Sequence, residues 1–433
     1  MKKKIYEVTN MNSESFTNNR KAFIAKMETP SFALLYSGVA PHKSNDQLYP
    51  FVTDRNFYYL TGLMRDNFTL LLVKGAKYDS EFLFIEEPSD FATKWLGKRM
   101  SQAEAAAISG IKVENIRLNQ ELNGFMHAAV LSDSRKALIE MPKILYLDLY
   151  RAKPYQKPKS LQQANELITA YPELALKNLN DILYDLRTIK SESEIKMIEQ
   201  AIAYTNIGIE ALMANAKPGV NERHFDALFD FTIRLHGSEG TAFNTIVASG
   251  KNATVLHYEE NNKDTVDNDL VLLDLGALSG PYAADISRTF PVNGKFTARQ
   301  REIYSLVLDV NKKTIKKIKP GLTVAELNKF ASDELAKGLL KLGLIKDASE
   351  VGKYYYHMVS HYLGLDVHDV GSYQRPLVPG MVITVEPGLY IEEEGIGVRI
   401  EDDVLVTENG QRNLSEAIVK EIDAIEELMA VND

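Results

Sequence analysis

The sequence predicts an α/β (α+β) protein in which a small N-terminal α/β domain precedes a larger domain made of two similar halves. Three observations predict this fold class. The chain has 433 residues, which is too long for one simple core. Apolar runs alternate with turns between residues 31 and 86. Beyond residue 190, a pattern of two helices and a strand pair occurs twice.

The N-terminal domain is predicted from apolar runs that are flanked by helices. The helices span Ser13 to Lys26 and Ser101 to Gly110. The strand candidates between them are F-A-L-L-Y-S-G, N-F-Y-Y-L-T-G, F-T-L-L-L-V-K-G and E-F-L-F-I.

The domain boundary is expected after a Pro- and Lys-rich loop, Lys153 to Lys159. A helix from Ser160 to Ala170 follows and stops before Pro172. We place the boundary near Asn178, which gives domains of residues 1–178 and 179–433.

Two turn motifs mark the repeat in the second domain. A helix begins at Ser191, with a hydroxyl cap and acidic residues in its first turn. It ends at A-K-P-G-V, and a second helix, Asn221 to Leu235, follows. About a hundred residues later, I-K-P-G-L precedes another helix, Thr323 to Leu342. A chance similarity of the Lys-Pro-Gly turns is the alternative.

Each half then supplies a strand–turn–strand unit with two carboxylates set in apolar runs. The first half carries Asp274 and Asp285, and the second carries Glu386 and Glu401. A pseudo-twofold domain would bring all four together at its centre. An unpaired buried charge costs several kcal/mol. The alternatives for either aspartate are capping by backbone amides and pairing with Arg288 or Arg399, whereas a bound metal would satisfy several of these carboxylates at once.

Composition excludes several classes of protein. The chain has no cysteine, so disulfides, thiolate nucleophiles and cysteine zinc sites are absent. The net charge of −9 offers no basic face for nucleic acid, and the lysines from Lys312 to Lys319 fit a solvated helix face. The N-terminus shows no apolar signal region, and no run of ~18 apolar residues occurs. We expect a cytoplasmic protein that binds neither nucleic acid nor membranes.

The residue types favour a site with two divalent ions. Four carboxylates with one or two imidazoles suit hard or borderline ions better than a single zinc. Such a pair of ions is suited to the hydrolysis of an amide. His357 and His361 are four residues apart, but Met358, Val359 and Ser360 between them include no glutamate, so a zinc-protease helix motif is excluded. Arg399 lies two residues before Glu401 and is expected to support a ligand carboxylate.

These residues stand in motifs that resemble the pita-bread metallopeptidases, and aminopeptidase P most of all. The motifs are L-L-D-L-G, A-D-I-S-R-T-F, S-H-Y-L-G-L-D-V-H-D, V-E-P-G-L-Y and R-I-E-D-D. The resemblance implies five metal ligands, which are Asp274, Asp285, His361, Glu386 and Glu401. Asp285 and Glu401 would bridge two divalent ions, with Mn²⁺ expected and Co²⁺, Zn²⁺ or Fe²⁺ as alternatives.

The resemblance also implies roles for residues around the metals. His257 and His368 match catalytic histidines that contact the substrate, and Glu386 would shuttle a proton from a hydroxide bridging the ions. Tyr390 and His357 would support a ligand or contact the substrate. Met358 stands where the family usually has glycine, and we expect its side chain to crowd the pocket or to shift His357.

The N-terminal part resembles the corresponding domain of aminopeptidase P. The matching motifs are N-F-Y-Y-L-T-G, Asn56 to Gly62, and K-W-L-G-K-R, Lys94 to Arg99. In that family the tryptophan of the second motif, here Trp95, can reach the active site of a neighbouring subunit. A core or interface anchor is the alternative for this residue. The resemblance implies a homodimer or homotetramer.

The expected function is removal of an N-terminal residue that precedes proline, an Xaa-Pro aminopeptidase activity acting on small peptides. A prolidase, restricted to Xaa-Pro dipeptides, is the alternative within the fold. A creatinase-like activity is disfavoured, because it does not need this metal set. A non-catalytic pita-bread binding module is the alternative of another class, although modules of that kind have typically lost ligands.

Overall fold

The structure, a computed structural model, describes residues 11–430 apart from 88–92, 96, 133, 134 and 136. The chain forms two compact units, Met11–Arg187 and the residues from Thr188 onward. The first ten residues, which bear on the expected absence of a signal region, and Leu96 of the Lys94 to Arg99 motif lie outside the described residues. Across the described ranges, no helix combines the length and apolar character that crossing a membrane requires.

The first unit is built on one mixed sheet with the strand order β6-β5-β4-β1-β7-β8 and a small separate hairpin, β2-β3. Its strands are β1 (Ser31–Tyr36), β2 (His42–Ser44), β3 (Gln47–Leu48), β4 (Thr69–Lys74), β5 (Asp79–Ile85), β6 (Ile116–Leu118), β7 (Ile144–Leu147) and β8 (Ala175–Asn178). Its helices include Ser13–Lys26, Arg55–Thr61, Gln102–Ser109, Leu122–Phe125, Lys159–Gln163, Asn165–Ala170 and Asn180–Thr188. One apolar cluster, which includes Phe32, Leu71 and Phe84, forms a core around this sheet.

Two elements of this unit differ from prediction. The run from Asn56 to Gly62, predicted as a strand, is the helix Arg55–Thr61. Asp54 caps its first turn by accepting a hydrogen bond from the Phe57 N–H at 2.9 Å, and Gly62 ends it with a left-handed φ of 70°. The helix predicted from Ser160 to Ala170 is split in two at Ala164. The boundary near Asn178 stays a prediction.

The second unit contains the repeated pattern. Its helices include Glu192–Ala214, Glu222–Leu235, Ala298–Lys317, Val324–Lys341 and Ile422–Ala430. Its strands are β9 (Ile246–Ser249), β10 (Leu270–Leu275), β11 (Leu278–Ser279), β12 (Tyr282–Ala283), β13 (Ile286–Pro291), β14 (Val382–Val385), β15 (Gly388–Ile391), β16 (Ile396–Arg399), β17 (Asp402–Thr407) and β18 (Gly410–Asn413). The predicted cap Ser191 precedes the first of these helices, and Thr323, predicted as the first residue of a helix, caps the fourth.

The two halves place their carboxylates at matching positions. In the first half, β10 pairs antiparallel with β13, Asp274 lies in β10, and Asp285 directly precedes β13. In the second half, β14 pairs antiparallel with β17, Glu386 directly follows β14, and Glu401 directly precedes β17. The expected organisation of helix, helix and strand pair is therefore present in each half.

Candidate metal centre

One cavity of about 310 Å³ in the second unit collects most of the site residues expected from the sequence. The five candidate ligands line its wall: Asp274, Asp285, His361, Glu386 and Glu401. So do four further predicted residues: His257, His357, His368 and Arg399. Asp274 faces this cavity instead of the apolar core, and its side chain is 14% exposed.

Three of the candidate ligands lie close enough to share an ion. Potential ligand atoms of Asp285, His361 and Glu401 all fall within 4.8 Å of one another, and all three residues are buried. Nε2 of His361 lies 3.2 Å from Oδ2 of Asp285 and 4.0 Å from Oε1 of Glu401. Oε1 of Glu386 lies 3.7 Å from the same nitrogen.

The backbone around His361 orients its ring. The His361 N–H donates a hydrogen bond to Oγ1 of Thr384 at 3.1 Å, which joins the histidine to β14. Nδ1 lies 3.0 Å from the carbonyl oxygen of Tyr362. A proton on Nδ1 satisfies that carbonyl and leaves the lone pair of Nε2 directed at the carboxylates, which is the tautomer that a metal ligand needs.

The carboxylates lie close to one another, and the positive charge near them does not balance their negative charge. Burial, followed by the nearby charge of Asp274, raises the pKa of Asp285 well above its usual range. Burial and the neighbouring carboxylates Asp285 and Glu386 raise the pKa of Glu401 in the same direction. Burial raises the pKa of Glu386 to about 8, against the opposing effects of His361 and Arg399. A divalent cation would stabilise the ionised form of all of them.

The residues therefore fit a metal site. Oδ1 of Asp274 is buried and has no hydrogen-bond partner among the described residues. A carboxylate oxygen of this kind beside a buried cluster of oxygen and imidazole donors is what hard or borderline divalent ions require.

Arg399 connects several groups of the cavity wall. Its Nη2 donates to Oδ2 of Asp274 at 2.6 Å, and its Nε donates to Oγ of Ser287 at 2.8 Å. Ser287 in turn donates to Oε2 of Glu401 at 2.7 Å. Pairing with arginine, the alternative to metal binding, thus accounts for one oxygen of Asp274. Arg288 instead pairs with Asp402 at 3.0 Å, and both side chains are fully buried.

His357 lies beside the cluster, next to Glu386. Its Nδ1 is 2.8 Å from the Met358 carbonyl oxygen and 3.5 Å from Oε2 of Glu386, while Nε2 is 2.8 Å from the Tyr390 hydroxyl. Burial and then the positive charge of Arg399 lower the pKa of His357 to about 4. The imidazole is therefore neutral at physiological pH.

His257 and His368 lie at the exposed side of the cavity. The His368 ring lies edge-on to the His361 ring, with 4.4 Å between centroids. Burial and then His361 lower the pKa of His368, so this imidazole is neutral as well. Trp95 belongs to the first unit, and 75% of its surface is exposed. A role for Trp95 in a neighbouring subunit stays a prediction.

Sequence reasoning missed four residues of this site. Leu256, Ser360 and Tyr373 line the cavity, and Ser287 links Arg399 to Glu401. Ser287 lies two residues after Asp285, and in an extended chain such residues share a face. The spacing of two residues from Asp285 could therefore have identified Ser287. Leu256 and Tyr373 lie in irregular segments, where spacing carries no such information.

Comparisons with known proteins cover both units. The profile of metallopeptidase family M24 matches residues 196–408, and that of the aminopeptidase P N-terminal domain matches residues 16–137. An Xaa-Pro aminopeptidase of Haemophilus influenzae is 36% identical over 96% of this chain and 97% of its own.

Two solved structures are similar throughout. Aminopeptidase P of Escherichia coli with the inhibitor Pro-Leu has a TM-score of 0.88 and 32% identity, covering 98% of this chain and 99% of that one. A Bacillus anthracis structure, provisionally assigned as an aminopeptidase P, has a TM-score of 0.93 and 45% identity over the same shares.

Proposed function

Because this chain belongs to metallopeptidase family M24 and to its Xaa-Pro aminopeptidase members, we propose that it is a metal-dependent aminopeptidase that removes an N-terminal residue preceding proline. The observation that carries the proposal is the buried cluster of Asp285, His361 and Glu401 in the wall of an open cavity. The same cavity presents neutral imidazoles and a carboxyl group able to hold a proton near neutral pH. These are the groups that amide hydrolysis needs.

The proposed ligands are the five predicted from the sequence, which line one cavity: Asp274, Asp285, His361, Glu386 and Glu401. They would hold two divalent ions, with Asp285 and Glu401 shared between them. Mn²⁺ is the proposed ion, and Co²⁺, Zn²⁺ and Fe²⁺ suit the same donors. When bound, such ions polarise a carbonyl and lower the pKa of water.

Glu386 is the proposed proton carrier. In the metal-free protein burial raises its pKa to about 8, and a bound divalent ion would lower that pKa and leave the carboxylate ionised, able to accept a proton. Glu386 would accept the proton of the attacking water and deliver it to the nitrogen of the departing proline. The His357 ring would pack beside that carboxyl group, with Nδ1 3.5 Å from Oε2 of Glu386, while the Tyr390 hydroxyl fixes the imidazole.

His257 and His368 are the proposed substrate contacts. Both line the cavity, and both are exposed. A neutral imidazole donates one N–H, and such a donor stabilises negative charge that develops on a carbonyl oxygen during hydrolysis. Arg399 donates a hydrogen bond to Oδ2 of Asp274 and orients that carboxylate.

An activity restricted to dipeptides is the alternative. The Escherichia coli relative binds Pro-Leu, which has a residue beyond the proline. A similar site in this chain would leave room for longer peptides, and this favours the aminopeptidase. The cytoplasmic location and the homodimer or homotetramer stay predictions.

The test compares peptides that differ only in length or in the second residue. Purified protein loaded with Mn²⁺ is given Xaa-Pro, Xaa-Pro-Yaa and Xaa-Ala-Yaa, and release of the first residue is measured by chromatography. We expect Xaa-Pro-Yaa to be cleaved and Xaa-Ala-Yaa to be spared. Cleavage of Xaa-Pro alone would establish the prolidase instead. A protein that binds neither Mn, Co nor Zn and cleaves none of the peptides would be a binding module.

A further inference from the structure

The segment from His361 to Gly380 carries His361, His368 and Tyr373, yet it has little regular secondary structure. Isolated bridges at Tyr362 and Pro376 are its β pairing among the described residues. His368 is itself exposed to the cavity. An exposed side chain on an irregular segment has many accessible positions, so its location must be fixed by neighbouring groups.

The residue after His368 points into the interior. The Asp369 side chain is 1% exposed, and its Oδ2 lies 3.0 Å from Nζ of Lys190, whose side chain is also 1% exposed. Lys190 lies 179 residues earlier, just before the helix Glu192–Ala214. A buried ion pair thus ties the start of the second unit to the residue beside His368.

One backbone hydrogen bond joins the same two segments, and a second lies within the segment from His361 to Gly380. The Lys190 N–H donates to the Gly380 carbonyl at 2.8 Å, and the Asp369 N–H donates to the Tyr362 carbonyl at 2.8 Å. The space around the pair is tight. A Cβ atom at Gly364 would lie 2.3 Å from Oδ2 of Asp369 and 2.8 Å from Cε of Lys190. The pair therefore occupies a closely fitted space inside the segment.

We propose that the Lys190–Asp369 ion pair is a positioning element that fixes His368 at the cavity. A buried ion pair adds little net stability, because desolvation offsets most of the attraction, but its charges tolerate few geometries. A displacement of about 1 Å in a substrate contact can cost about 100-fold in rate. The inference rests on the proposed function, in which His368 contacts the substrate.

The first test is kinetic and uses the Mn²⁺-loaded full chain. In Lys190→Met/Asp369→Asn the size of each side chain is kept and the charges are removed. We expect kcat/KM for an Xaa-Pro-Yaa peptide to fall about 10- to 100-fold, with unchanged Mn content. In a His368→Ala background the same change should cost less than about twofold, because the group it positions is gone. An equal loss in both backgrounds would overturn the proposal.

The control is another, partly exposed ion pair of the same unit, Lys263 with Asp269, whose Nζ and Oδ2 are 2.9 Å apart. Neither residue lines the cavity. Lys263→Met/Asp269→Asn should keep the kinetics of the parent protein and the same His368 reactivity.

The second test does not need activity. The rate at which diethyl pyrocarbonate modifies His368 in the metal-free protein is followed by peptide mass spectrometry. We expect this rate to change by about threefold or more in Lys190→Met/Asp369→Asn and to stay constant in the control. An unchanged rate would overturn the positioning role. If the parent protein cleaves no Xaa-Pro peptide, the proposed function fails and this rate alone decides the inference.

Discussion

Arg399 joins the two halves of the repeat, because its Nη2 lies 2.6 Å from Oδ2 of Asp274, 125 residues earlier in the chain. Its Nε reaches Ser287, and its Nη1 reaches the Tyr390 hydroxyl at 3.1 Å. A rigid guanidinium can hold three partners in fixed directions, whereas an ammonium group on a flexible chain cannot. The second half thereby orients a proposed ligand of the first.

We expect Arg399→Lys to lower kcat/KM for Xaa-Pro-Yaa peptides by about 10- to 100-fold, the usual cost of losing a partner of a metal ligand. Because lysine keeps the positive charge, the fall in kcat/KM would measure the loss of orientation of Asp274 and not the loss of charge. Steady-state kinetics and Mn titration measure it. Arg299→Lys is the control, since Arg299 pairs with Glu394 at 2.6 Å and lies away from the cavity. Equal kinetics for the two variants would contradict the role of Arg399.

Gly276 allows the chain that follows Asp274 to contact the chain that precedes Asp285. A Cβ atom there would lie 1.8 Å from the carbonyl oxygen of Ala284, the residue before Asp285. We expect Gly276→Ala to lower the free energy of unfolding by about 1–3 kcal/mol and to weaken Mn²⁺ binding, because the two aspartates would move apart.

Denaturant unfolding and metal titration check this prediction. Gly410→Ala is the matched control, because a Cβ atom at Gly410 meets no heavy atom within 4 Å. A Gly276→Ala protein as stable as the Gly410→Ala protein would show that the strands adjust without cost.

The metal-free protein is expected to lose stability as the pH rises towards 8. Burial raises the pKa of Glu386 to about 8, whereas an unfolded glutamate has a pKa of about 4.3. Between these values the folded protein retains a proton that the unfolded chain has lost. The free energy of unfolding therefore falls as the pH rises, by up to about 1.4 kcal/mol per pH unit.

Bound Mn²⁺ should remove this slope, since it keeps the carboxylates ionised at lower pH. Denaturant unfolding between about pH 6.5 and 8, with and without Mn²⁺, measures the effect, because above the pKa of an unfolded histidine His357 and His368 no longer contribute an opposing slope. Glu386→Gln should reduce the slope in the metal-free protein. Metal-free protein whose stability is constant or rises over that range would contradict the raised pKa.

Met358 is predicted to restrict the size of the substrate. Its side chain lines the cavity next to His357 and is 39% exposed. We expect Met358→Ala to raise kcat/KM for peptides with a bulky first residue relative to a small one by about 10-fold, the effect of a methylene or more of added space. Met64→Ala, at an exposed position of the first unit, is the control. An unchanged ratio would place Met358 outside the contact region.

Sequence patterns were most informative where local spacing dictates structure. The hydroxyl of Ser191 and the acidic residues after it predicted a capped helix, and a helix begins there. The helix predicted from Thr323 begins at Val324, with Thr323 as its cap. Asp274 lies in an apolar strand and Glu386 directly follows one, so a charged side chain at either position indicated a functional site. The motifs around them predicted five candidate ligands, and all five line one cavity.

The errors have physical causes. The aromatic run Asn56 to Gly62 looks like a strand because β propensity is high, but Asp54 and Gly62 cap a helix, and capping outweighed propensity. The contact of Lys190 with Asp369 spans 179 residues. Local sequence patterns carry no information about a contact between residues so far apart in the chain. This ion pair could therefore be identified only from the folded structure.

The central claim is that five side chains of one cavity hold two ions. Diffraction from crystals loaded with Mn²⁺, recorded at the manganese absorption edge, tests it most directly. We predict two anomalous peaks roughly 3.5–4 Å apart, both in contact with Asp285 and Glu401. A single peak, or peaks away from these carboxylates, would contradict the account.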